Sequence, residues 1–132
     1  MNFSYWKEKL TLKKVFGLAQ GRFKGVLTEE VITDVQNSNA IVQKVVGSRK
    51  TVYGINTGFG PLCDTLISQN EVQTLQKNLL LTHAVGVGEP IDPILSKIMM
   101  LCKVHALCKG YSGIRLKVIE RIIFFIDISN FV

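Results

Sequence analysis

The chain has 132 residues, which is one domain's worth. Hydrophobic residues make up 47%, enough for a real core and too many for a disordered chain. The net charge is +6, but the basic residues are scattered, as at Lys7, Lys24, Lys44, Lys77, Lys97 and Arg121, with no run of five. That pattern favours a solvated surface over a nucleic-acid footprint.

The amino terminus, residues 1–9, has no uninterrupted apolar stretch and is not a secretory signal, so the sequon at Asn2-Phe-Ser4 reads as chance. Leu12, Val15, Phe16 and Ala19 recur at helical spacing and predict a helix over 11–18 that Gly21 stops. Residues 22–27 alternate weakly, as in a short strand. Thr28 is an expected N-cap, with Glu29 and Glu30 in the first turn where the helix dipole favours negative charge. Val31, Ile32, Val35, Ile41, Val42, Val45 and Val46 then mark an apolar face, with Asn37-Ser-Asn39 as a candidate break, until Gly47 ends it. Beyond a glycine-rich loop, Ser68 and Glu71 fit a capping box. The helix they open carries Val72, Leu75, Leu79 and Leu80 on one side and fades at Gly86. Asp92-Pro93 reads as an N-cap followed by proline at the first helical position. Ile94, Leu95, Ile98, Met99, Leu101, Cys102 and Leu107 make that helix apolar over most of its surface, and Gly110 is its expected C′ residue. A last helix is expected from Ser112 or Gly113 through Val118, Ile119, Ile122, Ile123, Phe125 and Ile126. It is apolar nearly all round, as a helix inside a larger assembly is. The chain is therefore expected to be part of a longer protein or to pair with a copy of itself. The sum is a mainly α domain with a few very short strands.

Three cysteines, Cys63, Cys102 and Cys108, form no Cys-x-x-Cys pair. They read as buried, reduced thiols of a cytoplasmic protein. His83 and His105 are the only histidines, and no metal site is expected from them. The apolar stretch at 122–132 is too short to span a bilayer and contains Asp127, so no membrane partner is expected.

The chemistry concentrates in three glycine-bearing clusters. Tyr53-Gly-Ile-Asn-Thr-Gly-Phe-Gly60 puts a phenol and a carboxamide on a loop whose glycines let backbone or ligand come close. Leu81-Thr-His-Ala-Val-Gly-Val-Gly88 follows after one helix length, and Lys109-Gly-Tyr-Ser-Gly113 is the third. Each residue also has an ordinary structural account. Tyr53 could be a core tyrosine with its hydroxyl tied down, and a phenol acts as a base near neutral pH only when its pKa of roughly 10 is lowered. His83 at a helix C-terminus could be a cap. His105, amid Val104, Ala106 and Leu107, reads as a packed or partnered structural histidine. Neither a phosphate loop, a dinucleotide fingerprint nor a nucleophile elbow is present.

Taken in order with Leu75-Gln-Lys-Asn-Leu-Leu80 and Lys109-Gly-Tyr-Ser-Gly-Ile114, these clusters resemble the amino-terminal part of the aromatic amino acid ammonia-lyases, and within that family the branch acting on histidine. The likeness runs from about residue 27 onward and is dense over 53–115. It implies a multi-helix N-terminal domain of the ammonia-lyase/fumarase-aspartase-like fold over 1–110, with 111–132 beginning a central helical bundle. It implies that Tyr53 is a catalytic acid/base, that Thr82 and His83 face the substrate's ring, and that Asn56 and Gly60 belong to the active-site loop. Enzymes of the family acting on tyrosine or phenylalanine tend to show His-Leu or Phe-Leu where this chain has Thr82-His83, and those acting on histidine show Ser-His. Thr keeps the hydroxyl, which favours an imidazole substrate. The resemblance further implies a homotetramer whose sites are shared among subunits, a substrate of L-histidine converted to urocanate and ammonia, and a self-formed methylidene-imidazolone made from Ala-Ser-Gly. That tripeptide does not occur in these 132 residues, so the chain is expected to bring no cofactor of its own and to be inactive alone. Alternatives are a part of a tyrosine or phenylalanine ammonia-lyase, a non-catalytic helical module docking through Ile122, Phe125 and Phe131, and, on charge alone, a nucleic-acid binder.

Overall fold

The computed structural model describes residues 1–48, 52–55, 57 and 69–128. Among these residues the chain is mainly helical, as expected. In order it forms β1 (Asn2–Ser4), α1 (Leu12–Ala19), β2 (Lys24–Val26), α2 (Glu29–Val46), α3 (Gln69–His83), α4 (Pro93–Leu107) and α5 (Leu116–Ile128). They fall into two compact units, Met1–Ala40 with Pro90–Val132, and Ile41–Glu89.

The first unit holds the hydrophobic core. β1 and β2 pair in parallel, with Asn2 opposite Lys24, Phe3 opposite Gly25 and Ser4 opposite Val26, and α1 is the crossover between them. A strand at β1 was not expected, because three residues give too little alternation to read. β2 falls inside the expected 22–27. Gly25 is required there, since a Cβ would run into the Tyr5 ring. Phe3 and Tyr5, 2% and 1% exposed, meet edge to face at 5.7 Å.

Thr11 caps α1, its hydroxyl accepting from the Lys14 amide at 3.4 Å. The inward face of α1 is Val15, Leu18 and Ala19; Leu12 and Phe16, expected on the apolar face, are exposed. Gly17 is buried because the Phe23 ring lies where a side chain would be. Thr28 opens α2 as expected, accepting from the Val31 amide at 3.3 Å. Val31 and Val35, one turn apart, are fully buried. The candidate break at Asn37-Ser-Asn39 does not occur. The helix continues to Val46, and two of those polar side chains reach the loop before α5: Asn39 Nδ2 donates to the Gly113 carbonyl at 2.7 Å, and the Gly113 amide donates to Ser38 Oγ at 2.9 Å.

Asp92 caps α4, accepting from the Ile94 amide at 2.8 Å, with Pro93 at the first helical position. Leu101, Val104 and Leu107 form its buried stripe, and α4 packs against both α1 and α5. Its C-cap is Cys108, so Gly110, at φ +73, lies one residue beyond the expected C′ place. Cys108 is buried, but Cys102 is exposed, against the expectation of a buried thiol. α5 begins at Leu116, later than Ser112 or Gly113, because Gly113 is spent on the bonds to α2. Ile119 and Ile126 are its inward residues.

In the second unit, α2 ends at Val46 and the Gly47 amide closes on the Gln43 carbonyl at 3.0 Å. α3 ends at His83, before the expected fade at Gly86, and Leu80, placed on its apolar side, is 72% exposed. Ser68 of the expected capping box lies outside the described residues.

Candidate active site

The two clusters that carry the expected chemistry both fall in the unit Ile41–Glu89. Asn56, Gly60 and Cys63 lie outside the described residues. Tyr53 sits at the second place of a four-residue turn closed by the Ile55 amide on the Val52 carbonyl at 3.1 Å. Gly54 at the third place has φ +75, the conformation that favours glycine there. The turn lifts the Tyr53 ring outward, leaving it 65% exposed. Thr57 anchors the turn from below. It is 1% exposed, and its hydroxyl accepts from the Gly54 amide at 3.3 Å. Sequence reasoning passed over Thr57. Its signal was a hydroxyl three residues beyond Gly54 in a loop that must satisfy its own amides.

Thr82 and His83 end α3 side by side, both exposed. The Thr82 hydroxyl lies 2.9 Å from the Asn78 carbonyl and 3.0 Å from that of Leu79, so it back-bonds the last turn. His83 Nδ1 lies 2.9 Å from the Leu79 carbonyl and 3.1 Å from Thr82 Oγ1. A carbonyl only accepts, so the neutral ring carries its hydrogen on Nδ1 and its lone pair on Nε2. The ring thus caps a carbonyl at the negative end of the helix while fixing its own tautomer. Tyr53 and His83 share one unit, and neither ring is sealed in an interior.

In the unit Met1–Ala40 with Pro90–Val132, burial or a close partner shifts several groups. Burial, then the Asp127 charge and Cys108, raise the Tyr5 phenol. The Lys14 ammonium and the Ser4 amide hold the Glu8 carboxyl below its usual range. Burial pushes the Cys108 thiol up to about 12. His105 is partnered, as expected: its Nδ1 accepts from the Trp6 amide at 3.1 Å. Among the described residues no three His, Cys, Asp or Glu side chains gather as a metal would need, and no helix is long and apolar enough to cross a membrane.

Comparison with known proteins bears on this geometry. The chain is 40% identical over 114 residues to the histidine ammonia-lyase of Shewanella woodyi, covering 86% of this chain and 22% of that protein. It superposes on the crystal structure of histidine ammonia-lyase from Trypanosoma cruzi with a TM-score of 0.84 at 32% identity, over 96% of this chain and 25% of that one. It superposes on the tyrosine aminomutase of Streptomyces globisporus with a TM-score of 0.87 at 25% identity, over 97% of this chain and 24% of that one. The chain thus spans about a quarter or less of the length of these relatives. Residues 10–129 match the family described as aromatic amino acid lyase, and the chain belongs to that family.

Proposed function

We propose that this chain supplies the acid/base part of a histidine ammonia-lyase site. Residues 1–110 act as its N-terminal domain and 111–132 as the start of a central bundle. The observation that carries the reading is the Thr82-His83 pair, with Nδ1 engaged and the Nε2 lone pair left as the ring's acceptor. An imidazole substrate brings an N–H that such an acceptor recognises, and a buried polar ring needs that partner. The 40% identity to a protein named histidine ammonia-lyase supports the same substrate.

In this reading Tyr53 takes the proton from the carbon next to the amino-bearing carbon of L-histidine, and the amino group leaves as ammonia. Phenolate chemistry near neutral pH needs hydrogen bonds or cations that favour the charged form. The Thr57-anchored turn holds the ring where such partners and substrate can approach. Asn56 and Gly60, which lie outside the described residues, are assigned substrate contact by the resemblance alone. The methylidene-imidazolone implied by the resemblance derives from Ala-Ser-Gly, which these 132 residues do not contain. The residues present do not fit as its source, so the chemistry assigned to this chain is confined to its own side chains. Assembly into a homotetramer and a cytoplasmic setting belong to the same proposal.

The test is a chimera in which residues 1–132 replace the matching segment of the Shewanella woodyi enzyme. It should form urocanate from L-histidine. Tyr53→Phe should lower kcat by roughly two to four orders of magnitude, the usual weight of a positioned acid/base, with an unchanged circular dichroism spectrum. A folded Tyr53→Phe chimera turning over at near wild-type rates rejects the role. The likeness to tyrosine aminomutase favours a second reading, an aromatic substrate. Turnover of tyrosine or phenylalanine in preference to histidine by the unsubstituted chimera would establish it.

A further inference from the structure

We propose that His105 is a pH-sensitive latch: its neutral ring clasps the Trp6 amide and holds Trp6 against α4, and protonation releases Trp6. Trp6 has φ +65 and is the one non-glycine residue with positive φ among those described. An L residue with a bulky side chain adopts that backbone only where its surroundings hold it.

Two residues of α4 and its C-terminal end do so. The Trp6 N–H donates to His105 Nδ1 at 3.1 Å, and the two rings meet at 5.9 Å and 62°. The Lys109 ammonium lies 4.6 Å from the centre of the Trp6 ring, within cation–π range. Three bonds close the turn on itself: Lys7 N–H to the Tyr5 carbonyl, Glu8 N–H to the Ser4 carbonyl, and Ser4 N–H to Glu8 Oε1; outside it, the Tyr5 amide donates to the Val26 carbonyl at 3.1 Å, Lys7 pairs with Glu30 and Glu8 with Lys14. Those ties run to Val26, α1 and α2, and the bond to His105 is the one that joins the Trp6 amide to α4.

The join is made by an acceptor that titrates. Nδ1 can accept only while the ring is neutral with its hydrogen on Nε2. A protonated ring puts a hydrogen on Nδ1, so two donors face each other and the Trp6 amide loses its partner. The new cation also sits one helical turn from the Lys109 ammonium. The charged groups around this corner are Lys109 on the same helical run, Lys14 of α1 over the Phe3 ring that also meets His105, and Glu8, which Lys14 pairs. Lys7, paired with Glu30 of α2, and Asp127 of α5, acting on Tyr5, lie on the neighbouring elements. Of these only Lys109 acts on the imidazole, and together with burial, the larger effect, it holds His105 below its usual value. Among the described residues no carboxylate stabilises the imidazolium.

The sign follows from linkage. The folded ring binds its proton less readily than the unfolded one. The latch's contribution is therefore complete above the ordinary imidazole value of roughly 6.5 and is lost as pH falls through the lower folded value. The latch stands apart from the proposed lyase chemistry, which concerns the other unit.

Trp6 is the one tryptophan in the chain, so the intrinsic fluorescence of the whole 132-residue protein reads the turn directly. Emission should change on acidification from about pH 8 to about pH 5, with a midpoint below roughly 6.5. The Trp6 amide resonance should move with that same midpoint as the His105 ring resonances. In His105→Gln, whose amide oxygen can accept from Trp6 but does not titrate, the transition should vanish. A Trp6 amide that stays put while His105 titrates, or an unchanged transition in His105→Gln, overturns the proposal. Should that variant fail to fold, the agreement or disagreement of the two midpoints in the unsubstituted chain decides alone.

Discussion

Cys102 and Cys108 are six residues apart, which turns the helix by about 600° and leaves the two thiols about 120° apart around the axis. One consequently faces solvent and the other the core, where burial pushes its thiol up to about 12. Only the thiolate attacks an alkylating reagent, so access and ionisation both protect Cys108. Iodoacetamide at neutral pH should label Cys102 in the native protein and reach Cys108 only after unfolding. Peptide mass mapping checks this, and equal labelling of the two in the native state would contradict the burial. Sequence reading took both as buried thiols in preference to metal ligands; which of the two turns inward depends on which face of α4 is covered by α1 and α5. Tyr53 and His83 were easier to single out, since glycines beside them in the chain announce a loop and a helix end. Thr57 and Trp6 were not, because an anchor beneath a turn and a strained backbone are defined by partners rather than by neighbours in sequence.

The elements repeat the distinction between local and distant causes. The caps at Thr28 and Asp92 were legible because donor and acceptor lie two or three residues apart. Asn37-Ser-Asn39 misled because these side chains compete with helical backbone when alone, and here they bond Gly113, some 75 residues away, instead. The same bonds keep Gly113 out of α5, which moves that helix's start to Leu116. A pair gripping both the amide and the carbonyl of one residue should act as a unit. Asn39→Ala or Ser38→Ala alone should each cost about 1–3 kcal/mol, since each leaves a part-buried backbone group unpaired. The double variant should cost less than the sum, because the second loss finds the loop already loosened. Urea unfolding of the three variants measures this; strict additivity would mean that the two bonds hold Gly113 independently.

At the scale of the molecule, the packed core and the candidate chemistry occupy different units. Every buried apolar side chain of the core belongs to Met1–Ala40 with Pro90–Val132, while in Ile41–Glu89 the buried side chain among those described is Thr57. Residues 80–90 are exposed throughout, including Leu81, Val85 and Val87. Local opening costs least where few apolar contacts must be broken, so amides near the end of α3 should exchange with deuterium well before those of α4. Binding-site segments are commonly drawn from this low-stability end, and the proposed function gives the imbalance a reason: Tyr53 and His83 wait for surfaces that complete the site. Hydrogen exchange read by mass spectrometry on the 132-residue chain and on the chimera separates this from mere looseness. Protection over 77–85 should rise by an order of magnitude or more in the chimera, equivalent to at least about 1.4 kcal/mol, while that of 98–107 changes little. Equal protection of 77–85 in both proteins would mean that the site-bearing helix gains nothing from the added polypeptide, and the shared-site reading would lose its structural basis.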